Sequence, residues 1–176
     1  MANVDNPSGF LPYSNPHHGS GQATITQHVL LATNAAIGVG SPLKVAAGGV
    51  DHASAGDALC GIAAEAKAAS SGGFIKIWSD PFQLFVAQTD DTTGTATAEA
   101  AIGLNIDFVG TGVSNGRSLA ELDESTALTT AALVFKLIEI SKEVNGNQLN
   151  AYGQFNRLVV KINNHQFAAS TGTAGI

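Results

Sequence analysis

The side chains able to do chemistry in this sequence are few and scattered. Five histidines, His17, His18, His28, His52 and His165, are the available metal-ligating imidazoles. A zinc site needs three or four ligands in fixed geometry, usually at short local spacings. His17 and His18 are adjacent, so on extended backbone their rings point apart. No HExxH pattern occurs, and the histidines read as solvated or partner-contacting imidazoles with no metal. Asp90-Asp91 sits in a polar loop, TDDTTGT. The twelve-residue calcium loop with its closing Glu does not follow, so these carboxylates read as a solvated turn.

Covalent chemistry has no better foothold. The single cysteine, Cys60, lies in the apolar run ALCGIAA and reads as a small core residue. One cysteine also excludes an intramolecular disulfide and a multi-cysteine zinc site. There is no G-x-S-x-G nucleophile elbow. Glu121, Asp123 and Glu124 cluster as an acidic loop or helical turn rather than as a carboxylate pair across a cleft. In the stretch Gly110 to Gly116 the third glycine comes one residue too late for G-x-G-x-x-G. Gly38-Val39-Gly40-Ser41-Pro42 lacks that glycine altogether. Neither opens a long helix in a βαβ unit, the context a phosphate loop needs. The residues therefore point to no enzyme, no catalytic group and no cofactor.

Composition bounds the rest. The chain has 176 residues and a formal net charge of −6, with only 8 Lys+Arg. A nucleic-acid binder carries a basic footprint, which is missing here. Met1 to Ser20 is polar and Pro-rich without an apolar h-region, so no secretory signal is expected. No apolar run approaches the roughly 18–20 residues that span a bilayer, so no membrane partner is expected. Charged residues are 12% of the chain, about half the usual share. Leu, Ile, Val and Phe number 45, or 26%, which is enough to build a core. The surface must then be Ala, Gly, Ser, Thr and Asn, which repel neighbours weakly and suit a protein covered by partners.

Residues 1–22 read as an extended arm. Pro7, Pro12 and Pro16 fix φ and remove donors, and no period of 2 or 3.6 is present. Phe10, Leu11 and Tyr13 are apolar anchors inside it, suited to docking on another surface. Residues 23–167 follow as a β-rich domain. Strand-like runs occur at Thr24–Ala32, Leu43–Ala46, Ala58–Ala64, Phe74–Trp78, Phe82–Gln88, Asn105–Val109, Leu133–Ser141 and Leu158–Asn163. Asp80-Pro81 predicts a hairpin or sharp corner. Thr95–Ile102 and Ser118–Leu122 predict short helical turns, and residues 168–176 a flexible tail. About eight short strands with turn-rich connections predict one all-β domain, a β-sandwich or β-barrel.

Four pieces of the chain, in order, carry a resemblance. They are Met1-Ala2-Asn3-Val4-Asp5-Asn6-Pro7-Ser8-Gly9-Phe10, Trp78-Ser79-Asp80-Pro81-Phe82, Ala101-Ile102-Gly103-Leu104-Asn105, and Leu158-Val159-Val160-Lys161-Ile162-Asn163-Asn164-His165. Together they resemble the capsid cement, or head decoration, proteins of tailed bacteriophages. The resemblance implies a virion protein, made in the host cytoplasm, on the outer surface of an icosahedral head. Its partner would be the major capsid protein where capsomers meet. Self-association as a homotrimer, in preference to a homodimer, is implied on the same ground. The family brings no catalytic residues. The arm anchors Phe10, Leu11 and Tyr13 are the expected capsid contacts, since an extended arm can add to a strand edge while its side chains fill pockets. Two other readings stay open. One is a virion β-module for a receptor or carbohydrate, with Trp78, Tyr13 or Tyr152 as platform. The other is a small hydrolase using His165, Asp80 and Cys60.

Overall fold

Two turns show how the sequence cuts this chain into strands. At Asp80-Pro81, Gln83 N–H donates to Asp80 O at 3.1 Å and Phe82 N–H to Asp80 Oδ1 at 2.8 Å. The strand before this turn belongs to one sheet and the strand after it to another, so it is a corner rather than a hairpin. At Asn115-Gly116, φ is +50° and +75°, the left-handed pair that a two-residue hairpin requires. The glycine-rich stretch from Gly110 to Gly116 therefore leads into a small hairpin over residues 113–118.

The computed structural model describes residues 3–14, 23–90, 99–142, 144–145, 148–168 and 172–175. The described strands are β1 (Leu11–Ser14), β2 (Ile25–Val29), β3 (Pro42–Ala46), β4 (Gly49–His52), β5 (Gly61–Ala63), β6 (Phe74–Trp78), β7 (Leu84–Gln88) and β8 (Asn105–Val109). They continue with β9 (Val113–Ser114), β10 (Arg117–Ser118), β11 (Glu121–Leu128), β12 (Phe135–Ile140), β13 (Val144–Asn145), β14 (Gln148–Leu149) and β15 (Arg157–Ile162). A six-stranded sheet has the order β1-β7-β15-β12-β8-β11, and a five-stranded sheet the order β2-β6-β5-β3-β4. Every strand pairing in them is antiparallel. The fold is all-β and of the sandwich type, not a closed barrel.

Both sheets curl. The ends of the five-stranded sheet meet at the parallel bridge Leu30↔Val50, and β7 runs on to meet β11 at Thr89↔Leu122. The main core lies between the sheets. Phe85, Ile106, Phe108, Phe135, Leu137, Leu158 and Val160 from the larger sheet pack with Ile62 from the smaller and with Leu59 just before it. A second core, with Leu30, Leu43, Cys60, Ile75 and Ile77, sits inside the curl of the five-stranded sheet. Leu158, Val160 and Ile162 face the main core while Val159 is buried on the opposite face, as the alternation in β15 predicts.

Several expectations are corrected. Ser118–Leu122 is not a helical turn. Glu121 and Leu122 pair with Val109 and Phe108, and that ladder outweighs local preference. Of Thr95–Ile102, the described part forms only a 3₁₀ turn at Glu99–Ala101 before Gly103, whose φ is +93°. Phe82 lies outside β7 and is exposed. Residues 172–175 are tied down: Asn105 Nδ2 donates to Thr173 O at 2.6 Å and Lys136 Nζ to Ala174 O at 2.8 Å. The arm is the largest correction. Its described part, residues 3–14, is built into the domain.

Candidate functional site

The N-terminal segment fills the seam that the larger sheet leaves between β7 and β11. Along β7 it adds an antiparallel strand, with Leu11 opposite Val86, Pro12 opposite Phe85 and Ser14 opposite Leu84. Pro12 cannot donate, so it fits only an edge, and the register shifts between Pro12 and Ser14. Gly9 has φ +69°, and a Cβ there would meet Ser118 Cβ at 2.7 Å and Gly40 O at 2.8 Å. That passage delivers Phe10 to the core. Its N–H donates to Gly40 O at 3.0 Å. Its ring stacks on Phe135 at 4.3 Å between centroids and meets Phe108 edge-on at 6.3 Å.

Phe10 is 0% exposed, so the expectation that it contacts a capsid protein is corrected. The strand addition and pocket filling expected of the arm take place within its own chain. Leu11 and Tyr13 are only partly buried. Residues 15–22 lie outside the described residues.

Upstream of Phe10 the segment borders an open cleft of about 370 Å³ lined by Asp5, Asn6, Ser114, Arg117 and Glu121. The hairpin β9–β10 presents Ser114 and Arg117, and β11 begins with Glu121. Gln88, at the end of β7, ties the parts together. Its Nε2 donates to Asp5 Oδ1 at 3.0 Å and to Glu121 Oε1 at 3.1 Å, while its Oε1 accepts Asn6 N–H at 3.0 Å. Burial, then the negative charges of Asp5 and Asp90, push the Glu121 carboxyl up to about 7, against the opposing hydrogen bond from Gln88. Arg117 makes no ion pair with it among the described residues.

Of the other chemical groups, Asp80 lies near enough to His165 for its charge to act on that ring, and Leu59, the neighbour of Cys60, bridges His165. His165 is 4% exposed, and burial pushes its imidazole down to about 4. Its Nδ1 accepts Phe167 N–H at 3.1 Å. Burial pushes the Cys60 thiol up to about 12, which leaves no thiolate to attack anything. His52 Nε2 bonds Ala36 O at 2.9 Å. His28 Nε2 meets Thr26 Oγ1 at 2.9 Å, with Ser79 Oγ 2.7 Å beyond. No carboxylate orients that ring among the described residues, so the triad logic is incomplete. Asp123 Oδ1 is occupied by Ser125 N–H and Oγ–H, and Asp90 Oδ1 accepts Glu124 N–H. His17, His18 and Asp91 lie outside the described residues. Among the described residues no three His, Cys, Asp or Glu side chains converge as metal ligands.

Tyr13, Trp78 and Tyr152 stand on β1, on β6 and in the loop after β14, and no ring contact joins any two of them. Trp78 packs against the main core. The outer face of β2 and β6 exposes large apolar side chains instead. Val29 pairs with Phe74 and Ile25 with Trp78, and Ile25, Val29 and Phe74 are 53%, 52% and 56% exposed. Lys76, opposite Gln27, is the charge among them. Sequence reasoning missed both this face and the Gln88 junction. The junction joins residues 33 to 83 positions apart, and no local pattern signals it. Comparison with protein-family models, curated proteins and solved structures finds no match to this chain.

Proposed function

We propose that this chain is a structural virion protein that binds the outer surface of a tailed-phage capsid shell and cements it at capsomer junctions. The observation that carries the reading is the exposure of Ile25, Val29 and Phe74 on the outer side of two paired strands, with the Gln27–Lys76 pair between them. Three large apolar side chains left in water on regular backbone suit a surface that a partner covers. The low charge of the chain limits the polar desolvation that such covering costs. The resemblance to head decoration proteins supplies the partner, the major capsid protein, and favours a homotrimer. No catalysis belongs to this reading.

Deleting residues 1–22 would remove Phe10 from the core, so it tests folding rather than binding. Surface substitutions are the cleaner probe. Full-length protein and an I25S/F74S variant would be sedimented with heads that lack decoration protein. Saturable binding of the first, weakened at least tenfold in the second, supports the reading. Equal binding would move the contact elsewhere on the surface. No binding of either form would sink the cement role and favour the receptor or carbohydrate module, which a glycan array then tests.

A further inference from the structure

The polar contacts of residues 5–6 converge on one buried amide. Gln88 is 4% exposed, and its two N–H bonds go to two carboxylates on different parts of the chain. An amide nitrogen has two hydrogens, so Asp5 and Glu121 take one each and nothing is left over. No cation pairs with either carboxylate among the described residues. The charged groups around Glu121 are Asp5 from the segment, Asp90 beyond the end of β7, and Arg117 of β10, which lines the same cleft unpaired. On β8 the residue opposite Glu121 is the apolar Val109. When both carboxylates are ionised, like charges share one neutral donor group in a half-buried site. Glu121 is fixed in a strand ladder. Asp5 rides on a segment held by isolated side-chain bonds, so the repulsion acts on the segment.

We propose that the Asp5–Gln88–Glu121 junction is a proton-dependent latch: residues 3–7 are held against the body while Glu121 carries a proton and loosen when it ionises. Phe10 stays buried in both states, because its stacking on Phe135 involves no charge. Gly9 and the residues before it absorb the movement. The release would widen the cleft between Asn6 and Arg117 near neutral pH. The inference stands apart from the capsid reading and does not rest on it.

Nuclear magnetic resonance of the ¹⁵N-labelled full chain tests it. Spectra and backbone ¹⁵N relaxation are recorded from pH 5.5 to 8.5. In the wild type, the Gln88 side-chain and Asn6 amide resonances should titrate together with a midpoint of about 7. The order parameters of residues 3–7 should fall across that midpoint while those of residues 10–14 hold. Glu121→Gln should keep residues 3–7 ordered through pH 8.5, and Asp5→Asn should do the same. Order in residues 3–7 that is unchanged from pH 5.5 to 8.5 in the wild type would overturn the latch. So would an equal loss of order in Glu121→Gln. Core amide dispersion in each spectrum confirms that the variant is folded.

Discussion

Residues 3–14 are held to one body by two unlike devices. At Phe10 the hold is apolar: a ring with no exposure, stacked on Phe135 and reached through a glycine that admits no side chain. At Asp5 and Asn6 the hold is polar: three hydrogen bonds on one amide, two of them to carboxylates. The first depends on area and shape, so it is indifferent to pH and salt. The second depends on protonation and is only as strong as its charges allow. The short stretch from Asp5 to Phe10 thus spans a permanent anchor and a conditional one.

The largest test removes the permanent anchor. Phe10→Ala should cost about 3–5 kcal/mol, the usual loss for a buried aromatic ring. Urea denaturation at pH 6 measures it. A loss under about 1 kcal/mol would mean the seam closes over without Phe10 and that the anchor lies elsewhere. Next is Gln88→Leu, which keeps volume but strips donors from Asp5 and Glu121 and the acceptor from Asn6 N–H. About 1–3 kcal/mol is expected for buried polar groups left unpartnered, toward the lower end because the cleft admits water. If Gln88→Leu cost as much as Phe10→Ala, the polar hold would be no weaker than the apolar one.

The pH profile sharpens the contrast. Glu121 is raised from 4.5 to about 7, so the folded chain binds more protons than the unfolded one between those values. Its contribution to stability is full below 4.5 and is lost as pH rises through 7. His165 is lowered from 6.5 to about 4, so its contribution is full above 6.5 and is lost as pH falls through 4. Between 4.5 and 6.5 the two slopes oppose each other. Wild-type stability should therefore change little across that window and fall just above it. Glu121→Gln unmasks the histidine. Its stability should rise from pH 4.5 to 6.5 and then level off. A Glu121→Gln profile parallel to the wild type would show that the carboxyl titrates alike in both states.

The sequence made the all-β architecture readable because it resides in local signals. Asp80-Pro81 and the alternation in Leu158–Ile162 are each set by a few neighbouring residues. The seam was not readable for the opposite reason. Pro12 argues against a strand until a free edge of β7 is known to receive it. Phe10 looks like an anchor for another molecule until Phe135, 125 positions away, is seen beneath it. By sequence Glu121 reads as one of three acidic residues in a loop or helical turn. Its altered protonation comes from burial first and then from the charges of Asp5 and Asp90, and only the fold supplies either. The outward placement of Ile25, Val29 and Phe74 was hidden because a strand-like run does not say which of its two faces meets the core until β2 and β6 are paired.

The smallest effect is at Asn3, and it carries the most discriminating test. Asn3 Nδ2 donates to Ala151 O at 2.9 Å and Gln154 O at 2.8 Å, beyond the charged junction. Water can replace these bonds at a partly exposed site, so Asn3→Ala should cost only about 0.5–1 kcal/mol. Asn3 does not titrate, so a simple contact would cost the same at every pH. If residues 3–7 loosen together when Glu121 ionises, Asn3 has already left its partners at pH 8.5 and its removal costs nothing there. The expected result is a cost at pH 5.5 that vanishes at pH 8.5, measured by urea denaturation of both proteins at both values. An equal cost at both would keep Asn3 docked throughout and confine any loosening to Asp5 and its neighbours. A pH-dependent cost in Asn3→Ala that disappears in an Asn3→Ala/Glu121→Gln background would tie the far end of the segment to one carboxyl on β11.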